Sequence, residues 1–173
     1  MTAVAAPELR IEPLDSRRHD RESFACGVPA LDRYLRTQAA QDMRRKANAV
    51  FVMVALNEPR QIVGYFTLCA MALAQSEVPE AARRHVPRYP LVSAILIGRL
   101  AVAKERQGRG LGAMLLARAL RMAYENADVV GSSMVVVDAI DERAAAFYLA
   151  HGFIRLPDSM RLILPMRTLS GAI

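Results

Sequence analysis

With 173 residues, 53% of them apolar, the chain is long enough to bury a core and too hydrophobic to remain disordered. No uninterrupted apolar stretch approaches the roughly 20 residues of a membrane span. The opening MTAVAAPELRIEPL has no base before its short apolar run, so the expectation is a cytoplasmic protein with no membrane partner. The formal charge of +6 suits a polyanionic partner, although an ordinary soluble basic surface has the same sign.

Leu9 to Leu14 (LRIEPL) alternates as a strand does. Val28-Pro29 marks a helix start, and Leu31, Tyr34, Leu35, Ala39 and Met43 then recur at helical spacing. Ala49 to Leu56 and Gln61 to Leu73 flank the turn signal NEPR and read as a hairpin. VPEAARRHVPRYP, with its three prolines, predicts a short helix inside a loop. Ser93 to Ala103 (SAILIGRLAVA) is a near-continuous apolar run, the pattern of a strand covered on both faces. Leu111 to Tyr124 has helical spacing, and Ser133 to Ile140 is a strand dense in β-branched residues. DERAAAFYLAHGF opens on a capping aspartate and closes at Gly152, while FIRL and RLILPMRTL complete the strands. The order β-α-β-β-(short α)-β-α-β-α-β-β predicts a mixed α/β fold, and no linker or repeat divides residues 1–173, so one domain is expected.

KERQGRGLGAMLL, Lys104 to Leu116, sets three glycines at alternate positions between a strand and a helix. A helix N-terminus offers unpaired N–H groups and the positive end of its dipole, and glycine brings loop amides close to a ligand, so the arrangement is a phosphate cradle. Arg106 and Arg109 add charge; a tight turn with a close helix–strand approach is the structural alternative. A P-loop is excluded, because its second glycine would fall on Ala113 and no Gly-Lys-Ser/Thr follows. Gly108, Gly110 and Ala113 satisfy the dinucleotide pattern G-x-G-x-x-A, but Lys104 to Gln107 separates the strand from the first glycine, and no acid ends the next strand at the expected distance.

Gln107-Gly108-Arg109-Gly110-Leu111-Gly112 resembles the Q/R-x-x-G-x-G/A acyl-CoA loop of the GNAT superfamily of N-acetyltransferases. Phe147, Tyr148, Gly152 and Phe153 supply a second marker, FY-x-x-x-GF. The resemblance implies a single GNAT domain with acetyl-CoA as co-substrate. The pyrophosphate would lie on Gln107, Gly108, Arg109, Gly110, Leu111, Gly112 and Ala113, and the pantetheine arm along Leu100, Ala101 and Val102. It implies further that a backbone N–H near Val102 polarises the thioester carbonyl and that Tyr148 protonates the departing sulfur. A phenol of pKa near 10 is a sensible donor to a thiolate whose thiol has a pKa around 8.5. Without that context Tyr148 reads as a half-buried helix tyrosine.

From Phe24 to Leu169 the chain looks like the GNAT toxins of bacterial toxin–antitoxin pairs. That resemblance implies acetylation of the α-amino group of aminoacyl-tRNA, a block to translation, a ribbon-helix-helix antitoxin and a homodimer. The residues agree on charge. Arg83, Arg84 and Arg88 cluster with His85 on one loop, a candidate tRNA contact, and Arg99 reaches either ligand or an acid. Arg44, Arg45 and Lys46 are explained equally well by the dipole of the helix they end. No carboxylate stands out as a general base, and Asp138 reads as a base or as a strand-end acceptor. An α-amino group of pKa 7.7–8.0 needs less help than a lysine, which leans towards an aminoacyl acceptor. Acetylation of protein N-termini or small amines, and a non-catalytic acyl-CoA binder on the same fold, are the alternatives. Cys26 and Cys69 are too few for a zinc site or disulfide framework, and the three histidines lack ligand spacing, so no metal is expected.

Overall fold

The computed structural model describes residues 5–171. In chain order the strands are β1 (Leu9–Pro13), β2 (Ala49–Ala55), β3 (Glu58–Ala74), β4 (Leu91–Val102), β5 (Met134–Asp138), β6 (Ile154–Arg155) and β7 (Arg161–Pro165). The helices are α1 (Pro29–Thr37), α2 (Ala39–Arg44), α3 (Glu80–Arg83), α4 (Leu111–Asn126) and α5 (Glu142–Ala150). The strands form one mixed sheet in the order β1-β2-β3-β4-β5-β7-β6. β4 and β5 are parallel, with Ala94 opposite Met134 and Ile97 opposite Val137, while β5 runs antiparallel to β7.

The residues cluster into two compact units. The first runs through Thr67 and resumes for Arg99–Leu116; the second holds Leu68–Gly98 and the chain from Ala117 onward. Each is discontinuous because β3, β4 and α4 pass from one to the other. The first unit closes its core with Leu35 and Ala39 from the helices, Val50, Val52 and Val54 from β2, and Tyr65 from β3. Tyr65 donates its hydroxyl to the Leu31 carbonyl at 2.8 Å, so its ring is buried without an orphaned polar atom. The second unit packs Leu73, Val92, Ala94, Met134, Val136 and Ile163 together.

Four elements differ from the pattern the sequence suggests. The first helix is two helices, because the backbone leaves helical geometry at Gln38 (φ −121°). Directly before it the Thr37 hydroxyl donates back one turn to the Arg33 carbonyl at 2.8 Å, a type of bond that often accompanies helix bends. The hairpin turn shrinks to Leu56 and Asn57, and Glu58-Pro59-Arg60 join β3. The doubly covered strand is β5, where Met134 to Val137 are all buried, whereas β4 opens with Leu91 exposed, Val92 buried, Ser93 exposed and Ala94 buried. Finally, the last strand stops at Pro165 and Met166–Leu169 form a single tight turn, closed by the Thr168 hydroxyl on the Pro165 carbonyl at 2.6 Å.

Candidate active site

β4 ends at Val102, and the chain is pinned as it leaves the strand: Ala103 N–H donates to the Val63 carbonyl and Lys104 N–H to the Ala25 carbonyl, both at 2.8 Å. Lys104–Arg106 make one tight turn. The Gln107 side chain then clamps the loop, donating Nε2–H to the carbonyls of Cys26 (2.7 Å) and Val102 (3.0 Å). Gln107 therefore fixes the loop through its amide nitrogen instead of presenting that nitrogen to a ligand. Gly108 and Gly110 follow, each at φ +77°, a conformation L side chains rarely adopt. A Cβ added at either would meet nothing within 4 Å, so these glycines serve the backbone's direction and leave the space in front of it open. The helix's first turn begins with Met114 N–H on the Gly110 carbonyl at 3.2 Å. The N–H groups of the preceding residues consequently have no acceptor within the helix. Exposed Arg109, which makes no ion pair among the described residues, adds a cation beside them. An open cradle of unpaired amides with one free guanidinium fits a pyrophosphate. Behind it, Leu100 and Val102 are half-buried on one face of β4 while Ala101 points into the core.

In the second unit, Asp141 caps α5 by accepting Ala144 N–H at 2.8 Å. The other end stops in a Schellman motif: Phe153 N–H donates to the Tyr148 carbonyl and Gly152 N–H to the Leu149 carbonyl, both at 3.2 Å, with Gly152 at φ +92°. The apolar contact that accompanies this motif is Phe153 against the Tyr148 ring, centroids 5.4 Å apart. Phe147 packs on the same ring at 5.2 Å. FY-x-x-x-GF is thus a helix stop that fixes one tyrosine. Burial pushes the Tyr148 phenol up to about 12. Its hydroxyl donates to no acceptor among the described residues, so at neutral pH it is a held, protonated and uncommitted acid.

The remaining predicted residues divide by what they touch. Arg99 places its guanidinium carbon 3.4 Å from the Tyr34 ring centroid, and the Tyr34 hydroxyl donates to Asp42 Oδ2 at 2.8 Å. Burial and this carboxylate together push the Tyr34 phenol far up. Sequence spacing gives no sign of this pairing, since it joins β4 to α1 across the length of the first unit. Arg83 donates Nε–H to the Val78 carbonyl at 3.0 Å and braces its own loop. Arg84 donates Nε–H to His85 Nε2 at 3.1 Å, and Arg88 is exposed. Asp138 is held by Arg161 through both oxygens at 2.8 and 2.9 Å, as a strand-end acceptor is. Among the described residues, no three His, Cys, Asp or Glu side chains gather into a metal-holding group, and no helix is long and apolar enough to cross a membrane.

A strand that leads through a glycine cradle into a helix N-terminus is the arrangement of a phosphate-binding α/β domain. A profile of the acetyltransferase (GNAT) domain matches residues 48–155, and the chain belongs to the GNAT acetyltransferase family. It is similar to a tRNA-acetylating toxin of Mycobacterium tuberculosis, 34% identical over 96% of this chain and 95% of that one. The structure resembles AtaT complexed with acetyl-methionyl-tRNAfMet, with a TM-score of 0.87 and 29% identity over 95% of this chain and 99% of that chain. It also resembles a tyrosine-to-phenylalanine mutant of the AtaT toxin bound to acetyl-CoA and the C-terminus of the antitoxin AtaR, with a TM-score of 0.81 and 28% identity over 95% of this chain and 97% of that chain.

Proposed function

We propose that this chain is an acetyl-CoA-dependent N-acetyltransferase toxin that acetylates the α-amino group of aminoacyl-tRNA, blocks translation and is neutralised by a cognate antitoxin. The observation that carries the reading is the near full-length similarity to a tRNA-acetylating toxin, together with a phosphate cradle and a protonated tyrosine in a chain of charge +6. The amides from Gly108 to Ala113, with Arg109, hold the pyrophosphate, and Leu100, Ala101 and Val102 lie along the pantetheine arm. A backbone N–H near Val102 polarises the thioester carbonyl. The neutral amine attacks that carbon, a C–N bond forms, the C–S bond breaks, and Tyr148 gives its proton to the sulfur. The ammonium formed on the acceptor loses its proton to water, in keeping with the engagement of Asp138 by Arg161.

In this reading residues 1–173 act as one catalytic domain, the protein works in the cytoplasm as a homodimer, and its antitoxin is of the ribbon-helix-helix type. The test is to incubate the purified protein with labelled acetyl-CoA and total tRNA, charged in one tube and deacylated in the other. Label is expected only with charged tRNA, on the aminoacyl group. Label on neither, with acetyl-CoA shown to bind, removes the reading.

A further inference from the structure

The second unit carries a feature that the reaction above does not use. Arg84 and His85 after α3, Ser132 and Ser133 before β5, and Arg167 in the turn after β7 line a depression of about 380 Å³. Its floor is built: Ser133 N–H donates to the Ser93 carbonyl at 2.9 Å, Met166 N–H to the Ser133 carbonyl at 2.8 Å, and Val86 and Met166 are buried beneath. No carboxylate lines it. The other paired arginines of this unit have acids, Arg155 with Glu142 and Arg161 with Asp138. Arg167 is exposed and has no side-chain partner among the described residues, and Arg84 commits only its Nε–H, to a neighbouring imidazole. Two guanidinium groups on one concavity repel each other until an anion sits between them. Their forks suit a tetrahedral oxyanion, and the Ser133 hydroxyl supplies a further donor, the Ser132 hydroxyl being committed to the Met134 carbonyl at 3.3 Å.

We propose that this depression binds a phosphodiester group of the nucleic-acid substrate, through Arg84 and Arg167. The inference rests on the proposed tRNA activity. A contact of this kind adds equally to ground-state and transition-state binding, so it acts on KM for the large acceptor and leaves kcat unchanged. It also sets part of the salt dependence, about one unit of log–log slope per phosphate contact.

The experiment compares wild type, R84Q/R167Q and R84E/R167E on three probes: charged tRNA, a 3′-aminoacyl-adenosine that carries no phosphate, and inorganic phosphate by calorimetry. Both arginines are at the surface, and circular dichroism checks that each variant folds. The expected result is a KM for charged tRNA raised about tenfold or more in the glutamine variant and further in the glutamate variant, with a salt slope reduced by about one to two. The KM values for aminoacyl-adenosine and acetyl-CoA stay unchanged. An unchanged KM for charged tRNA overturns the proposal, as does an equal rise for both acceptors, which would mean that the variants disturb the catalytic site. If inorganic phosphate binding is lost while tRNA affinity is not, the ligand is a small phosphate compound and the nucleic-acid assignment falls. Failure of the tRNA activity itself shows separately, as wild type that acetylates no charged tRNA. In that event anisotropy with deacylated tRNA still decides the pocket, since only a bound backbone would make its affinity depend on Arg84 and Arg167.

Discussion

Two of the turns built on left-handed glycines, those at Gly108–Gly110 and at Gly152, do opposite things. At Gly108 and Gly110, both at φ +77°, the chain enters a helix and leaves its N–H groups unpaired before open space. At Gly152, φ +92°, the chain leaves a helix and two carbonyls are taken up at once by Gly152 and Phe153 N–H groups. The first turn keeps hydrogen-bonding capacity in reserve, and the second exhausts it. Unpaired amides at a helix start are half of a ligand site, whereas a satisfied helix end is scaffolding. Here the scaffolding holds the ring of the proposed proton donor, since Phe153 closes the motif on Tyr148.

The comparison can be broken in four places. The largest effect is expected from Tyr148→Phe, which removes the proton donor and keeps the ring packing. The variant should lose about 10²–10⁴-fold in kcat with its acetyl-CoA affinity unchanged, as read by steady-state kinetics beside calorimetry. The same variant tests the burial of the phenol. A tyrosine raised from about 10 in the unfolded chain to about 12 in the folded one contributes stability that is whole below pH 10 and lost as the pH rises towards 12. The difference in stability between wild type and variant should therefore be constant below pH 10, and the wild type should lose stability relative to the variant as the pH rises from 10 towards 12.

Gly110→Ala comes next. Its Cβ has room, so the change works through backbone strain of about 1–2 kcal/mol and through misdirected amides. Weaker acetyl-CoA binding, by about tenfold, is expected in a calorimetric titration. Gly152→Ala imposes similar strain at a turn that binds nothing, so its thermal midpoint should fall by several degrees while acetyl-CoA affinity holds. Equal losses of affinity in the two variants would erase the distinction between them. The smallest effect is expected from Asp138→Asn: the pair with Arg161 is half exposed and worth under about 1 kcal/mol. Its pH–rate profile should keep the wild-type shape, and a flattened acid limb would restore Asp138 as the base.

Legibility from the sequence followed the range of each interaction. The glycine spacing, the Asp141 cap and the Gly152 stop are encoded within a few residues, and all were readable. The break at Gln38 was hidden because the helical period of the apolar residues continues through it. The Gln107 amide has the type expected of a cofactor-loop residue, but its work is set by Cys26, a partner far away in the chain. Arg167 looked like strand because Pro165 ends an apolar run without announcing the tight turn that carries the arginine to the depression. The two units were invisible for the same reason, being discontinuous in sequence.

The order of the parts along the chain has a consequence for synthesis. The Gln107–Ala113 cradle is translated before Tyr148, and Tyr148 before Phe153, the residue that seats its ring, and before β7, which pairs with β5. A chain terminated between Ala113 and Tyr148 would therefore carry the residues of the proposed acetyl-CoA cradle without the proposed proton donor. For an enzyme whose proposed target is the charged tRNA that builds it, the proposed proton donor is thus added only after most of the chain has been translated.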